Sequence, residues 1–399
     1  MAKQTKAESR RARVAVVCNG DSVISLRRQN LARYLSACMT MGGWCEKVSL
    51  VSIKGTVPST PYEVLRRDGA VLASKDVAFT SDASILANCD AIFLCVDLIE
   101  LDAVAKIVAA TIKGSKTKQV IVHLEASLKR KDGLEKAFFA DKTFLQGGAC
   151  FDVVVDDKGV LMPLSNGALF MERLPKEKEN ALFCLSIIES CALQVISRRN
   201  LRAIHWSNAI INSVYMVCAL TGLSVLDALR DRKCRLIYAD LMHEMTKVLD
   251  SVAKDKNWQL DHSGNCVLPI PLLLSLLPLP NAIFNHLVLR LVDFGVSVID
   301  DGHPLLTTDV AGGLLTEVPY EYEDVFELAT KTKVDVPTLT QMKKLLLAAA
   351  ETKKTGRISA AALHAAIQPS AESRKHSRTF VLKVFVTILM TVWLIHSLL

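Results

Sequence analysis

The chain has 399 residues, of which half are hydrophobic, with a formal net charge of +7 at pH 7. This length is enough for two ordinary domains, and the hydrophobic content excludes global disorder. The basic excess lies in residues 1–13 and 353–383. Because the rest of the chain carries no basic excess, we expect no nucleic-acid partner.

The 11 cysteines are scattered, and none forms a CxxC pair. This pattern predicts reduced, mostly buried thiols in a reducing compartment. It argues against a disulfide framework and against a metal site.

Short β-rich runs alternate with helical segments in the first third of the chain. Residues 13–18, 47–53, 91–96 and 119–124 have the composition of buried strands, and residues 99–112 have helical spacing. Strands that alternate with helices predict a parallel sheet with crossover connections.

The pattern changes after the first four strands. Residues 144–174 combine Gly-rich turns with β-like runs, which predicts antiparallel strands that close the sheet. From about residue 178 the apolar spacing is helical almost throughout. We therefore predict an α/β domain over 13–175, a helical domain over 178–350 and a linker or short helix over 351–379.

The first strand ends in the sequence VAVVCNGDSVIS and leads into a helix. A dinucleotide-binding turn of the form G-x-G-x-x-G has glycines at three positions. Here those positions hold Cys18, Gly20 and Val23. Only the middle glycine, which makes room for the phosphates, is retained.

Two interpretations of this turn remain open. In one, Asn19, Gly20 and Ser22 bind a dinucleotide. In the other, the segment is an ordinary strand-to-helix turn capped by Asp21 or Ser22. The carboxylate of Asp21 would stabilise an empty helix end but would repel a pyrophosphate.

Three later segments carry a resemblance to a known family. They are FLQGGACFDVVVDDKGVLMPLSNGALFMERL, NLRAIHWSNAIINSVYMVCALTG and TTDVAGGLLTEVPYEYEDVFELATKTKVDVPTL. Over roughly residues 13–348 the sequence resembles the 2-dehydropantoate 2-reductases, or ketopantoate reductases. The resemblance implies a Rossmann-like parallel-sheet domain, a helical domain of the 6-phosphogluconate-dehydrogenase-like type and NADP-dependent reduction of a 2-oxo acid.

The resemblance also assigns residues near the cofactor. Lys54 stands at the end of the second strand, where a cation would suit the 2′-phosphate of NADP, although a surface lysine would fit the same position. The family lysine that follows the DAIFLCV run is replaced by Asp97. The Asn-Gly pair expected at the nicotinamide edge is missing from residues 125–127.

The catalytic assignments fall on a helix and on a late segment. The general-acid lysine of the family corresponds to Asn208, and its substrate-binding asparagine corresponds to Asn212. An amide can donate a hydrogen bond but cannot give up a proton near neutral pH. His205 lies one turn earlier and could act as a substitute acid. Glu317 matches a family acid or serves only as a helix-start charge, and Leu305 replaces a substrate-binding serine.

Three functions are compatible with these residues. The first is an active NADP-dependent reductase of ketopantoate or a related 2-oxo acid. The second, which the substitutions favour, is a catalytically impaired or silent protein, a pseudoenzyme, that keeps the two-domain body. The third is a reductase of another carbonyl substrate that uses Asn208 and His205. The apolar helical half could also support a homodimer.

Residues 380–399 predict a transmembrane tail anchor. The sixteen residues after Lys383 carry no formal charge if His396 is neutral, and 20 helical residues extend about 30 Å, the thickness of a hydrocarbon core. The basic residues just before this stretch favour a cytosol-facing body on the mitochondrial outer membrane or peroxisome over secretory membranes. A buried C-terminal helix is the alternative. A second apolar stretch, 267–280, is interrupted by prolines and predicts a buried loop leading into a core helix.

Overall fold

The computed structural model describes most of the chain between residues 11 and 367. The residues it describes are 11–19, 26–41, 43–55, 61–66, 69–96, 98–115, 117–124, 131–163, 167–173, 186–189, 194–198, 201–253, 269–289, 305–313, 318–353 and 358–367. They fall into two compact units, which we call the sheet unit and the helical unit. The sheet unit holds the chain up to Asn208 together with the described part of 314–324, and the helical unit holds the described remainder.

The sheet unit contains twelve strands and three α-helices of described bounds. The strands are β1 (Ala12–Cys18), β2 (Cys45–Ser52), β3 (Glu63–Leu65), β4 (Val71–Ala73), β5 (Val77–Thr80), β6 (Ala91–Leu94), β7 (Val120–Leu124), β8 (Thr143–Ala149), β9 (Val153–Val155), β10 (Val160–Pro163), β11 (Leu169–Glu172) and β12 (Val195–Arg198). The helices are α1 (Leu26–Met41), α2 (Leu98–Ile112) and α3 (Lys131–Phe138).

Eight strands form the main sheet in the order β12-β11-β8-β7-β6-β1-β2-β5. Six neighbouring strands of this sheet all run parallel to one another: β8, β7, β6, β1, β2 and β5. Strand order runs outward from β1 in both directions, which is the doubly wound arrangement. The predicted parallel sheet with crossovers is therefore confirmed.

Helices cover both faces of this sheet. Leu31, Leu35 and Cys38 of α1 pack with Val14 and Val16 on one face. On the other face, Leu101, Val104 and Val108 of α2 and Leu134 of α3 pack with the alternate side chains of β1 and β6. Because both faces are buried, the central strands β1, β6 and β7 are apolar at almost every position.

The segment predicted to close the sheet divides between two sheets. β8 continues the parallel order, and β11 pairs antiparallel with β8. β9 and β10 instead join β3 and β4 in a separate four-stranded sheet of order β4-β3-β10-β9. The antiparallel prediction is thus right for β11 with β8 and for β9 with β10, but β9 and β10 lie outside the main sheet.

One strand lies inside the segment predicted to be helical. β12 pairs in parallel with β11, with Leu169 opposite Val195 and Glu172 opposite Arg198. Its residues, VISR, are partly β-branched, and hydrogen bonding at the edge of the main sheet decides their conformation. The described helices that follow begin only at Arg202.

The remaining described α-helices are α4 (Arg202–Asn212), α5 (Val214–Thr221), α6 (Val225–Arg230), α7 (Arg232–Ala253), α8 (Ile270–Leu276), α9 (Asn281–Ile283), α10 (Leu305–Gly312), α11 (Val318–Thr332), α12 (Pro337–Glu351) and α13 (Ala360–Ile367). The helical unit contains these helices, except for the part of α4 up to Asn208 and the part of α11 up to Asp324, which belong to the sheet unit. The segment predicted as a linker or short helix contains α13, whose Leu363 is fully buried. The proline-interrupted stretch forms α8, with Ile270 and Leu273 buried and Leu272 exposed.

Within the described part of the chain, no helix combines the length and the apolar character needed to cross a membrane. Residues 380–399, the predicted anchor, lie outside the residues that the structure describes.

Candidate functional site

The switch point of the main sheet lies between β1 and β6, where strand order reverses. Ligands of doubly wound sheets bind at the carboxyl ends of the strands beside such a point. Three polar residues are placed there by their elements. Asn19 directly follows β1, Lys54 follows β2, and Glu100 lies in the first turn of α2 after β6.

These three side chains contact one another. The Asn19 Nδ2 group donates a hydrogen bond to Glu100 Oε2. The Lys54 Nζ atom donates to the other carboxylate oxygen, Glu100 Oε1, at 3.2 Å. We call Asn19, Lys54 and Glu100 the carboxylate bridge. It joins the carboxyl ends of β1 and β2 to the start of α2.

Asn19 is almost completely buried, and its amide orientation is fixed by the acidic partner. Because the amide nitrogen faces the carboxylate, the oxygen Oδ1 points elsewhere, and this buried atom has no hydrogen-bond partner. An unsatisfied buried acceptor is costly unless a ligand or water donates to it. A donor from a ligand or a water molecule would remove this cost.

Cys18 occupies the first glycine position of the turn and serves the core. Its thiol is buried in the cluster that α1 covers, and burial raises the pKa of Cys18 to about 12. Cys95 stands beside it after β6, and burial raises the pKa of that thiol as well. Gly20, Ser22, Val23 and Asp97 lie outside the described residues.

A buried arginine adds positive charge at the same edge of the sheet. Arg28, near the start of α1, donates from Nη1 to the carbonyl of Leu124 at 3.4 Å, and it lowers the pKa of Cys95 against the dominant effect of burial. No sequence motif pointed to Arg28. Residues 125–127, which follow Leu124, are outside the described part of the chain.

Glu100 was also missed by sequence reasoning. In dinucleotide-binding folds, the acid that binds the ribose hydroxyls stands near the end of the second strand. In this chain that position holds Lys54. Here the carboxylate comes from a different element, the first turn of α2. The available signal was an acid just after the DAIFLCV strand, which by itself reads as an ordinary helix-start charge.

His205, near the start of α4, packs against β11 within the sheet unit. The ring of His205 meets the Phe170 ring of β11 edge-on, with centroids 4.7 Å apart. Complete burial, helped by nearby His123, lowers the pKa of His205 to about 3. Neither of its nitrogens has a hydrogen-bond partner in the structure. A neutral imidazole of this kind is not a ready proton donor at neutral pH, which weighs against the substitute-acid hypothesis.

Two of the three predicted catalytic residues are described, and they share α4. Asn208 is 1% exposed and Asn212 is 8% exposed. Their separation of four residues puts them on the same side of the helix. Glu317 lies outside the described residues, as does the side chain of Leu305.

The glycine pair of the QGGA segment has a packing role in β8. A Cβ atom on Gly148 would lie 2.4 Å from Cζ of Phe170, and one on Gly147 would lie 2.7 Å from the Phe170 carbonyl oxygen. Only glycine allows β11 to approach this closely. The pair therefore sets the position of Phe170, and through Phe170 that of His205.

A group of three or more His, Cys, Asp or Glu side chains able to hold a metal ion is absent from the described residues.

Comparison with protein families finds one match. Residues 200–350 match the ketopantoate reductase PanE/ApbA C terminal family. The matched segment starts just before α4 and ends in α12, and so it includes Asn208 and Asn212. A comparison with curated proteins finds no match to the sequence.

Solved structures extend the likeness to most of the chain. A PanE/ApbA family ketopantoate reductase from Ralstonia eutropha JMP134 has a TM-score of 0.59 and 16% identity, covering 86% of this chain and 99% of that chain. A complex of D-mandelate dehydrogenase with NADH has a TM-score of 0.59 and 15% identity, covering 85% and 99%. The 2-dehydropantoate 2-reductase from Methylococcus capsulatus has a TM-score of 0.55 and 17% identity, covering 86% and 97%. At these identities the likeness shows the fold, that of ketopantoate reductases, with a Rossmann-like sheet domain and a helical domain.

Proposed function

We propose that this chain is a ketopantoate-reductase-like protein that binds a nicotinamide dinucleotide at the switch point and is impaired or silent as a reductase. The buried, unpartnered Asn19 Oδ1 at the end of β1 is the observation that supports binding. It fits a dinucleotide because ribose hydroxyls can donate to it. Arg28 supplies positive charge at the same edge.

The fold neighbours agree with a cofactor of this class. One of them, D-mandelate dehydrogenase, is described in complex with NADH, and NADP is the cofactor that the family resemblance implies. When bound, such a dinucleotide would supply a hydride to a carbonyl carbon. Asn19, Lys54 and Glu100 would hold it at the ribose end.

The impairment rests on the missing proton donor. Asn208 stands at the general-acid position, and its amide has no proton to give near neutral pH. His205, one turn earlier, is held neutral by burial. Loss of a positioned acid typically lowers the rate by about 10²–10⁴. We therefore expect this protein, which has asparagine at position 208, to bind substrate and cofactor without efficient turnover.

Two measurements on the purified full-length protein test this proposal. Nicotinamide fluorescence should change on titration with protein, which reports dinucleotide binding. Oxidation of NADH or NADPH with ketopantoate should be at least about 100-fold slower than in an ordinary reductase. Turnover within about tenfold of an ordinary reductase would support an active enzyme instead, and no fluorescence change would support a scaffold without a cofactor.

We also propose that residues 380–399 anchor the protein in an intracellular membrane, with the mitochondrial outer membrane or peroxisome as the expected site. Support comes from the uncharged stretch after Lys383 and its basic flank. Deletion of 380–399 should move the protein from the membrane pellet to the supernatant after carbonate extraction. Retention of the shortened protein in the pellet would refute the anchor.

A further inference from the structure

We infer that the carboxylate bridge makes the switch point selective for a dinucleotide whose adenosine ribose carries no 2′-phosphate, NAD(H) rather than NADP(H). The inference rests on the proposed dinucleotide binding and concerns which form is bound. It departs from the expectation that Lys54 holds a 2′-phosphate.

The bridge presents hydrogen-bond acceptors to a ligand. Glu100 offers carboxylate oxygens, and Asn19 offers an unpartnered, buried Oδ1. A ribose diol has two hydroxyl donors and matches such acceptors, whereas a phosphate dianion has acceptors only. The site therefore suits the unmodified diol.

The charge of Lys54 is already matched within the protein. Its ammonium lies 3.2 Å from Glu100 Oε1, and the Glu100 side chain is only 15% exposed. A 2′-phosphate bound to Lys54 would place its negative charge beside the partly buried Glu100 carboxylate. Repulsion between the two anions disfavours NADP(H) at this position.

The position of the bridge matches the part of the cofactor it would contact. In doubly wound folds an acid that binds the ribose hydroxyls stands near the end of the second strand, or a cation there accepts a 2′-phosphate. Here both charges are present, with Lys54 after β2 and Glu100 reaching over from α2. Because Lys54 already binds Glu100, the remaining acceptor positions on the carboxylate and on Asn19 Oδ1 are left to determine the preference.

The test compares NADH and NADPH binding to the full-length protein by nicotinamide fluorescence. Wild type should bind NADH at least 10-fold more tightly than NADPH. Glu100→Gln keeps the size and an acceptor oxygen but removes the charge and releases Lys54. It should lower the NADH preference at least 10-fold, and adding Lys54→Ala to that variant should remove the gained NADPH affinity.

Glu46→Gln is the matched control. Glu46 also forms an ion pair, with Arg13 at 3.2 Å, but this pair lies exposed at the opposite ends of β1 and β2. Its loss should leave the NADH to NADPH ratio unchanged.

The outcomes separate the two proposals. A wild-type preference for NADPH would overturn the inference alone. So would an NADH to NADPH affinity ratio that stays unchanged in Glu100→Gln while dinucleotides still bind. Failure of the folded wild type to bind either dinucleotide would overturn the proposed function, and the inference with it.

Discussion

The buried side chain of Glu244 holds the N-terminus of α12 in place, a role that no sequence pattern indicates. In the sequence, His243-Glu244 resembles the start of a zinc-protease motif, but Lys247 stands where the second histidine would be. In the structure the Glu244 carboxylate on α7 accepts hydrogen bonds from the backbone N–H groups of Thr338, at 2.8 Å, and Leu339, at 2.9 Å. The carboxylate therefore caps the N-terminus of α12 from a distant part of the chain.

Removing this cap should destabilise the protein. Glu244→Ala leaves two buried N–H groups without an acceptor, and we expect the free energy of unfolding to fall by about 1–3 kcal/mol. Urea unfolding followed by circular dichroism measures the change. Glu351→Ala, at an exposed position at the other end of α12, is the control and should change stability by less than about 0.5 kcal/mol.

The same carboxylate should contribute a pH dependence of defined sign. Burial raises the pKa of Glu244, although the two N–H groups and Lys247 act in the opposite direction. The folded state thus holds the proton more tightly than the unfolded state, so this contribution is present below the unfolded pKa and is lost as pH rises through the folded pKa. The stability advantage of wild type over Glu244→Gln should therefore shrink as pH rises above the ordinary titration range of a glutamate. An advantage that grows with pH would contradict the raised pKa.

The contact between β8 and β11 depends on glycine at a position where other residues would clash. Gly148→Ala places a methyl group 2.4 Å from the Phe170 ring. Overpacking of this kind typically costs about 1–3 kcal/mol, and it should also shift the His205 ring that rests on Phe170. Thermal unfolding and the His205 proton resonance report the two effects.

Gly133→Ala is the control for that substitution. Gly133 lies within α3, and a Cβ there would meet no atom within 4 Å. Since alanine favours helix more than glycine does, the variant should be more stable by up to about 1 kcal/mol. If both alanine variants destabilise equally, the packing explanation for Gly148 is wrong.

The ends of α6 and α8 are held together by one arginine. The fully buried guanidinium of Arg235 donates to the carbonyls of Leu229, Leu277 and Leu279 at 2.7–2.8 Å and stacks 4.1 Å over Phe284. Burial lowers the pKa of Arg235 to about 10. The guanidinium thereby satisfies carbonyls in the proline-interrupted stretch, which explains how an apolar segment with four prolines can pack.

Lysine cannot reproduce this set of bonds. An ammonium has three donors at one point and cannot reach carbonyls from two helices, so Arg235→Lys should lower the free energy of unfolding by at least about 2 kcal/mol. Arg230→Lys, which alters an exposed ion pair with Asp227, should have little effect. Equal losses in the two variants, measured by urea unfolding, would refute this role of Arg235.

Over the whole chain, the elements set by local pattern were predictable and those set by distant pairing were not. β1, β2, β6, β7 and α2 follow from apolar runs and spacing, because both faces of the parallel sheet are buried. β12 was hidden in a helical-looking segment, since only its pairing with β11 makes it a strand.

The candidate site divides in the same way. Asn19, Lys54, Asn208 and Asn212 could be selected from motifs, because each has a fixed place relative to a strand or helix. Glu100 could not, because its role arises only where the ends of β2, β1 and the start of α2 meet. Turnover remains the property on which the whole account depends.

The most direct test is the rate of NADH and NADPH oxidation with ketopantoate by Asn208→Lys compared with wild type. Restoring a lysine at the general-acid position should raise the rate by about 100-fold or more, since a positioned acid typically contributes 10²–10⁴. Asn88→Lys, the same substitution at an exposed position, should change nothing. A wild type that already turns over within about tenfold of an ordinary reductase, with no gain in Asn208→Lys, would contradict the account.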